Sequence, residues 1–305
     1  MVIDFHIHPF LFNVNEKMIL EAINKAQVSH AVLLTPDYAV RDYDNPKVIK
    51  KIEELTKSSE SIFDWTAEKV IYFLKRMALE REKQKREERV LKLISKFPGR
   101  FTWFGSVNPN RSEDEIKTKL KNLKKLGVRG LKFLPTFQVF NPATCDNFKT
   151  ICDFCAKNNW IILIHTGCDP GPFEVPEIAK FANPENLIPV IEEYDNLKFV
   201  LAHMGSYSAF KMGIWLKEAL NILYKYDNAY ADTSAVNYFV FNNKDIVNMI
   251  RKVLDKIVFG SDFPSIAGSD IAYEVLAVRR SPYLTNDEKL KILRLNAVKI
   301  LNLKI

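Results

Sequence analysis

Short apolar runs alternate with amphipathic helical stretches along the whole of this 305-residue chain, and that alternation constrains the fold more than any single motif. The strand candidates are residues 2–8, 31–35, 101–107, 130–134, 160–165, 199–203, 229–232 and 257–260. Each is rich in β-branched or aromatic residues and lacks strict alternation, as expected of parallel strands buried on both faces. Eight strand–helix repeats predict an α/β fold closed into a (β/α)8 TIM barrel, with residues 1–305 as one domain. The competing architecture, an open doubly wound sheet, would place a Gly-rich phosphate loop after the first strand, and none is there.

The helical stretches carry readable boundaries. Ser112 and Glu115 form a capping-box pair ahead of a helix whose Leu120, Leu123 and Leu126 are expected to face inward, and Gly127 ends it. Thr285 and Glu288 repeat the spacing before the last helix. Between the second and third strand candidates lie about sixty residues, 38–100, where one helix would suffice. Phe63, Trp65, Val70, Phe73, Leu74 and Met77 have the pattern of packed positions, and Val90, Leu91 and Ile94 form a second group. The span reads as a helical insertion between strands 2 and 3. It would cap the mouth of an active site, support a homodimer, or serve only as surface decoration.

Composition narrows the function classes. Hydrophobic residues at 47% and charged residues at 27% describe a globular chain rather than a disordered one. Apolar runs such as 160–164 are too short to span a bilayer, so no membrane association is expected. The first strand candidate begins at Val2, leaving no room for a signal peptide ahead of it, and a cytoplasmic location is expected. The net charge of +7 raises a nucleic-acid partner, but positive and negative residues are mixed. In 81–89, five basic residues are interleaved with Glu82, Glu87 and Glu88, and Glu82 precedes Arg86 by four. That spacing describes a solvated helix face, and no basic–aromatic pattern accompanies it. Small acidic metabolites are the partners such a surface would attract. Cys152 and Cys155 form a C-x-x-C within a helical stretch, 145–158, without a second pair at metal-ligand spacing, and read as buried small apolar side chains.

The chemistry-bearing residues gather at strand ends. His6-Ile7-His8 ends the first strand, and residues at i and i+2 of a strand share a face, so two imidazoles can grip one ion. His165 ends the fifth strand ahead of Thr166-Gly167, His203 ends the sixth ahead of Met204-Gly205, and Asp262 follows the eighth within Gly260-Ser261-Asp262-Phe263-Pro264. Four of the five histidines therefore lie at the C-terminal ends of strands, where barrel enzymes assemble active sites. His30, just before the second strand, lies at the other end. One histidine alone would be read as a satisfied core residue; the set is not.

These motifs in combination resemble the amidohydrolase superfamily: H-I-H on strand one, I-H-T-G on strand five, A-H-M-G on strand six and G-S-D-F-P on strand eight. More narrowly they resemble the branch that contains aminocarboxymuconate-semialdehyde decarboxylase. Gly130-Leu131-Lys132, Phe137-Gln138 and Asn296-Ala297 fit that branch as well, and the long charged insertion departs from it. The resemblance implies that His6, His8, His165 and Asp262 ligate one divalent ion and that His203 is the acid–base residue, with Asp262 sharing in proton movement. Three imidazoles and a carboxylate suit Zn²⁺. The implied enzyme is a metal-dependent hydrolase acting on a small, carboxylate-bearing substrate; the alternative is a metal-dependent non-oxidative decarboxylase, a lyase with the same ligands. A barrel without catalysis would have lost one of these residues, and all are present.

Lys132 has three readings. It could bind a substrate carboxylate through its ammonium, be carbamylated and bridge two metals as in some branches of the superfamily, or pair structurally with a nearby carboxylate. The loop 168–172 after strand five is placed to take part in substrate selection.

Overall fold

The computed structural model describes residues 1–57, 64–264 and 270–304. Eight parallel strands follow one another around a single sheet: β1 (Val2–Ile7), β2 (Val28–Leu34), β3 (Phe101–Gly105), β4 (Gly130–Phe133), β5 (Ile161–Gly167), β6 (Lys198–Tyr207), β7 (Ala229–Asp232) and β8 (Ile257–Val258). The seam between β8 and β1 is closed by Phe5 N donating to Phe259 O at 2.9 Å, Asp262 N to His6 O at 2.9 Å and His8 N to Phe263 O at 2.8 Å. The fold is a (β/α)8 barrel. All eight strand candidates are strands, and β6 continues past His203 to Tyr207.

Alternation along the strands divides the apolar side chains into two layers. Val32, Leu34, Leu163, Val200 and Ala202 join one cluster, while Leu33, Ile162, Ile164 and Leu201 join a larger one packed with the surrounding helices. On β5 the inward row runs Ile161, Leu163, His165, so the site residue is the top step of a core-forming face. On β1 the pairing with β2 shifts between Asp4 and Ile7. Within that irregularity, His6 turns to meet Lys132 from β4.

Between β2 and β3 the described residues form three α-helices, α2 (Pro46–Lys57), α3 (Ala67–Lys83) and α4 (Arg86–Lys96), after α1 (Glu16–Lys25) between β1 and β2. Val90 and Leu93 of α4 sit in the barrel's main core, whereas Val48, Ile52, Val70 and Leu74 of α2 and α3 build a separate core with Leu134, Phe137 and Phe173. Trp65, Phe73 and Met77 pack against that second core as partly buried side chains. Phe63 lies outside the described residues.

Two expectations are corrected. Leu126 is 45% exposed, because the helix Glu113–Lys125 presents Ile116, Leu120 and Leu123 inward and ends at Leu126 ahead of Gly127. Residues 81–89 are not one solvated helix face. Lys85 adopts a left-handed conformation at φ 44°, which breaks the helix between α3 and α4 and leaves Arg86 only 5% exposed. Glu82 accepts from Val40 N instead of pairing with Arg86. Both capping boxes, at Ser112/Glu115 and Thr285/Glu288, are formed. Cys152 and Cys155 are buried free thiols. No described helix is long and apolar enough to cross a membrane.

Candidate active site

The C-terminal ends of the strands surround a cavity of about 90 Å³ whose wall includes His8, Arg86, His165, Asp169, His203 and Asp262, with Tyr38, Phe137 and Tyr207 as apolar sides. Of the residues singled out from sequence, His6, His8 and Asp262 converge most closely. His6 Nε2 is 3.1 Å from His8 Nε2 and 3.2 Å from Asp262 Oδ1, and His8 Nε2 is 3.5 Å from the same oxygen. Burial, reinforced by the Lys132 charge, holds the His6 imidazole well below the usual histidine range, and burial acts the same way on His8. Both rings are therefore neutral at neutral pH and offer lone pairs.

The tautomer of His6 follows from its other nitrogen. Nδ1 lies 2.8 Å from Asp232 Oδ2, a carboxylate that accepts, so Nδ1 carries the proton and Nε2 presents its lone pair to His8 and Asp262. Three ligand-capable atoms thus converge within 3.5 Å of one another, and a divalent ion fits this donor set. Asp262 reaches the cluster from the segment that follows β8, where its backbone is left-handed at φ 63°.

His165 stands beside this group without joining it. Its Nε2 faces Gly167 O at 3.2 Å and Asp169 Oδ2 at 3.2 Å, while its ring centroid is 4.9 Å from that of His203. His203 itself adopts φ 60°, a conformation uncommon for a residue with a side chain, and Met204 follows at φ 49°. Strand alternation after Val200 and Ala202 would send His203 outward; the left-handed turn brings its ring over His6 and His165 instead. Its Nδ1 donates to Ser234 O at 2.8 Å, leaving Nε2 unprotonated, and burial depresses its pKa to about 3.

Asp232, at the end of β7, was not singled out from the sequence, yet it organises the floor of the site. Oδ1 accepts from His203 N at 2.9 Å, Ser234 N at 3.0 Å and Ser234 Oγ at 2.5 Å, while Oδ2 takes His6 Nδ1. His6, His203 and Asp232 form a second cluster of metal-capable atoms. Its two histidine Nδ1 atoms are already engaged by Asp232 and Ser234, so it reads as a hydrogen-bonded support. The available signal was position: Asp232 ends a strand candidate in the sequence as His165 and His203 do.

Lys132 is fully buried, with Nζ 3.3 Å from His6 Nε2. Burial lowers its pKa to about 8 against the opposing pull of Asp232, Asp262 and Asp169. Asp169, in the loop after β5, accepts from Thr136 Oγ1 at 2.7 Å, and burial raises its pKa to about 6. Arg86 is the other residue the sequence did not mark. Gln138 and Asn296 are structural: Gln138 bridges Asp37 O and Val107 O, and Asn296 bridges Leu254 O and Ile257 O.

The family model described as Amidohydrolase matches residues 3–303. No curated protein matches the chain. Among solved structures, the chain is similar to a probable 2-pyrone-4,6-dicarboxylic acid hydrolase from Acinetobacter baumannii with citric acid bound, at a TM-score of 0.63 and 15% identity, covering 99% of each chain. It is similar to 5-carboxyvanillate decarboxylase from Sphingomonas paucimobilis at a TM-score of 0.61 and 15% identity, again over 99% of each chain. A third similar structure is 5-carboxyvanillate decarboxylase from Novosphingobium aromaticivorans complexed with manganese and 4-hydroxy-3-methoxy-5-nitrobenzoic acid. There the TM-score is 0.60 and the identity 15%, over 95% of this chain and 80% of that one. At these identities the likeness bears on the fold.

Proposed function

The chain belongs to the amidohydrolase family, and from that premise we propose that it is a metal-dependent hydrolase holding one divalent ion at His6, His8, His165 and Asp262, with His203 as its acid–base residue. The observation that carries this reading is the convergence of His6 Nε2, His8 Nε2 and Asp262 Oδ1 within 3.5 Å at the cavity. When bound, a divalent ion supplies Lewis-acid polarisation of substrate and acidification of water. Imidazole and carboxylate donors make Zn²⁺ the proposed ion, with Mn²⁺ the alternative raised by the manganese complex of a similar fold. His165 is assigned on the family's pattern, from its place on the cavity wall.

The remaining work falls to the chain's own groups. Asp232 and Ser234 fix the His6 and His203 rings, so each presents Nε2 rather than Nδ1. His203 Nε2 is then a neutral base that takes a proton from the attacking water and returns it to the leaving group. Asp262, on the same cavity wall, is proposed to share in that transfer. Lys132 places a cation at the inner end of the site and is proposed to contact the substrate there. Tyr38, together with Met77 of α3, borders the cavity, so the segment preceding α4 is proposed to cap its mouth.

A second reading, non-oxidative decarboxylation, is favoured by the aromatic lining. Tyr38, Phe137 and Tyr207 limit water, which suits protonation of a carbanion-like carbon by a single positioned acid. Turnover in ¹⁸O-labelled water separates the two. Label in the product supports hydrolysis, and release of CO₂ without solvent label in the product supports the lyase.

A further inference from the structure

Three arginines lie in the charged run that ends α3 and begins α4, and two are committed to the fold. Arg81 donates to Pro36 O and Tyr38 O and lies 3.8 Å from Asp37, while Arg89 stacks its guanidinium 3.8 Å above the Phe10 ring. Arg86 differs. It is 5% exposed, lies on the cavity wall with His8, and has no carboxylate within salt-bridge distance among the described residues; its one hydrogen bond is from Nε to Gln84 Oε1 at 2.6 Å. Asp37, which lines a surface cleft with Arg86, binds Arg111 instead, and of the carboxylates on the cavity wall Asp169 accepts from Thr136 while Asp262 faces His6 and His8.

A buried cation without a counter-charge costs free energy, so its position demands a reason. Burial lowers the Arg86 pKa only to about 10, and the group stays charged at neutral pH. The left-handed Lys85 is what aims it: a continuous helix from α3 into α4 would not turn Arg86 out of the run of solvated charges. We propose that Arg86 is the anion grip of the active site, binding a carboxylate of a small substrate whose body lies against Tyr38, Phe137 and Tyr207. The remaining guanidinium N–H groups form the planar fork that a carboxylate matches. Lys132 lies deeper, with Nζ 3.3 Å from His6 Nε2, and its proposed contact is at the inner end of the site rather than beside Tyr38 and Phe137. The inference rests on the proposed active site but not on which bond is cleaved there.

The test is equilibrium binding of benzoate and its uncharged analogue benzamide to the full chain, metal-loaded and chelator-treated, with metal content measured in each sample. Wild-type protein is expected to bind benzoate about tenfold or more tighter than benzamide. Arg86→Gln should lose about tenfold or more in benzoate affinity, leave benzamide unchanged, and keep its metal content and Tm. Arg86→Lys, which retains the charge without the fork, should recover part of the loss. Equal benzoate binding by wild type and Arg86→Gln, no preference for benzoate in wild type, or a Tm drop of several degrees in both variants would each overturn the proposal. A wild-type protein that takes up no metal would instead count against the metal site, and the chelator-treated comparison would still judge Arg86.

Discussion

His6 Nδ1 sits 2.8 Å from Asp232 Oδ2, joining β1 to β7 across the floor of the barrel with both side chains fully buried. Asp232 uses its other oxygen for His203 N and Ser234, so an asparagine that preserves those contacts turns its NH₂ toward His6. His6 would then shift its proton to Nε2 and lose the lone pair that faces His8 and Asp262. Asp232→Asn is expected to weaken metal binding about 10–100-fold, measured by chelator competition, with Tm in the metal-free state little changed.

Ligands and acid–base residue should separate in their mutants. His6→Ala and His165→Ala are expected to lose both metal occupancy and activity. His203→Ala should keep near-full occupancy while kcat falls about 10²–10⁴-fold. Metal analysis alongside steady-state kinetics reads both quantities, and a His203→Ala protein without metal would make His203 a ligand.

Gly260 allows β8 to approach the site. A Cβ there would meet His6 Cβ at 2.8 Å and Ser234 Cβ at 3.0 Å, closer than such atoms pack. Gly260→Ala is therefore expected to displace His6 and lower metal affinity about tenfold or more, a cost comparable to losing a supporting contact. The far-ultraviolet circular dichroism spectrum should remain that of the wild type.

At the opposite end of the barrel, His30 hydrogen-bonds Gly99 O and Thr102 Oγ1, and burial lowers its pKa below the ordinary 6.5. Between those two values the unfolded chain binds the proton that the folded chain refuses, so stability falls as pH drops through that window. The Tm of wild type is expected to decrease below about pH 6.5 more steeply than that of His30→Gln, by thermal melts from pH 7.5 to 5.

The barrel was legible because its signal is distributed: eight apolar runs and two capping boxes agree, and no single residue decides the outcome. His6, His8 and Asp262 could be grouped for the same reason, each standing at or beyond a strand end, and they converge in the structure. Asp232 also ends a strand, but its role depends on contacts with His6 and His203 that lie 226 and 29 positions away in sequence. Arg86 was hidden in a run of nine mostly charged residues, and what exposes it to the cavity is one left-handed residue, Lys85, that no periodicity announces. Leu126 misled for a related reason: helical spacing continues the apolar stripe past the point where the helix stops. His165 shows a further limit, since strand position places it at the cavity without saying which atom its Nε2 will face.

One divalent ion is proposed at the His6, His8 and Asp262 cluster. Anomalous diffraction at the metal's absorption edge, from crystals of protein purified without chelator, tests it most directly. One strong peak per chain is expected at His6 Nε2, His8 Nε2 and Asp262, with His165 as the fourth protein ligand. A peak instead at His6 Nδ1, His203 and Asp232, or no peak after supplementation with Zn²⁺ and Mn²⁺, would contradict it.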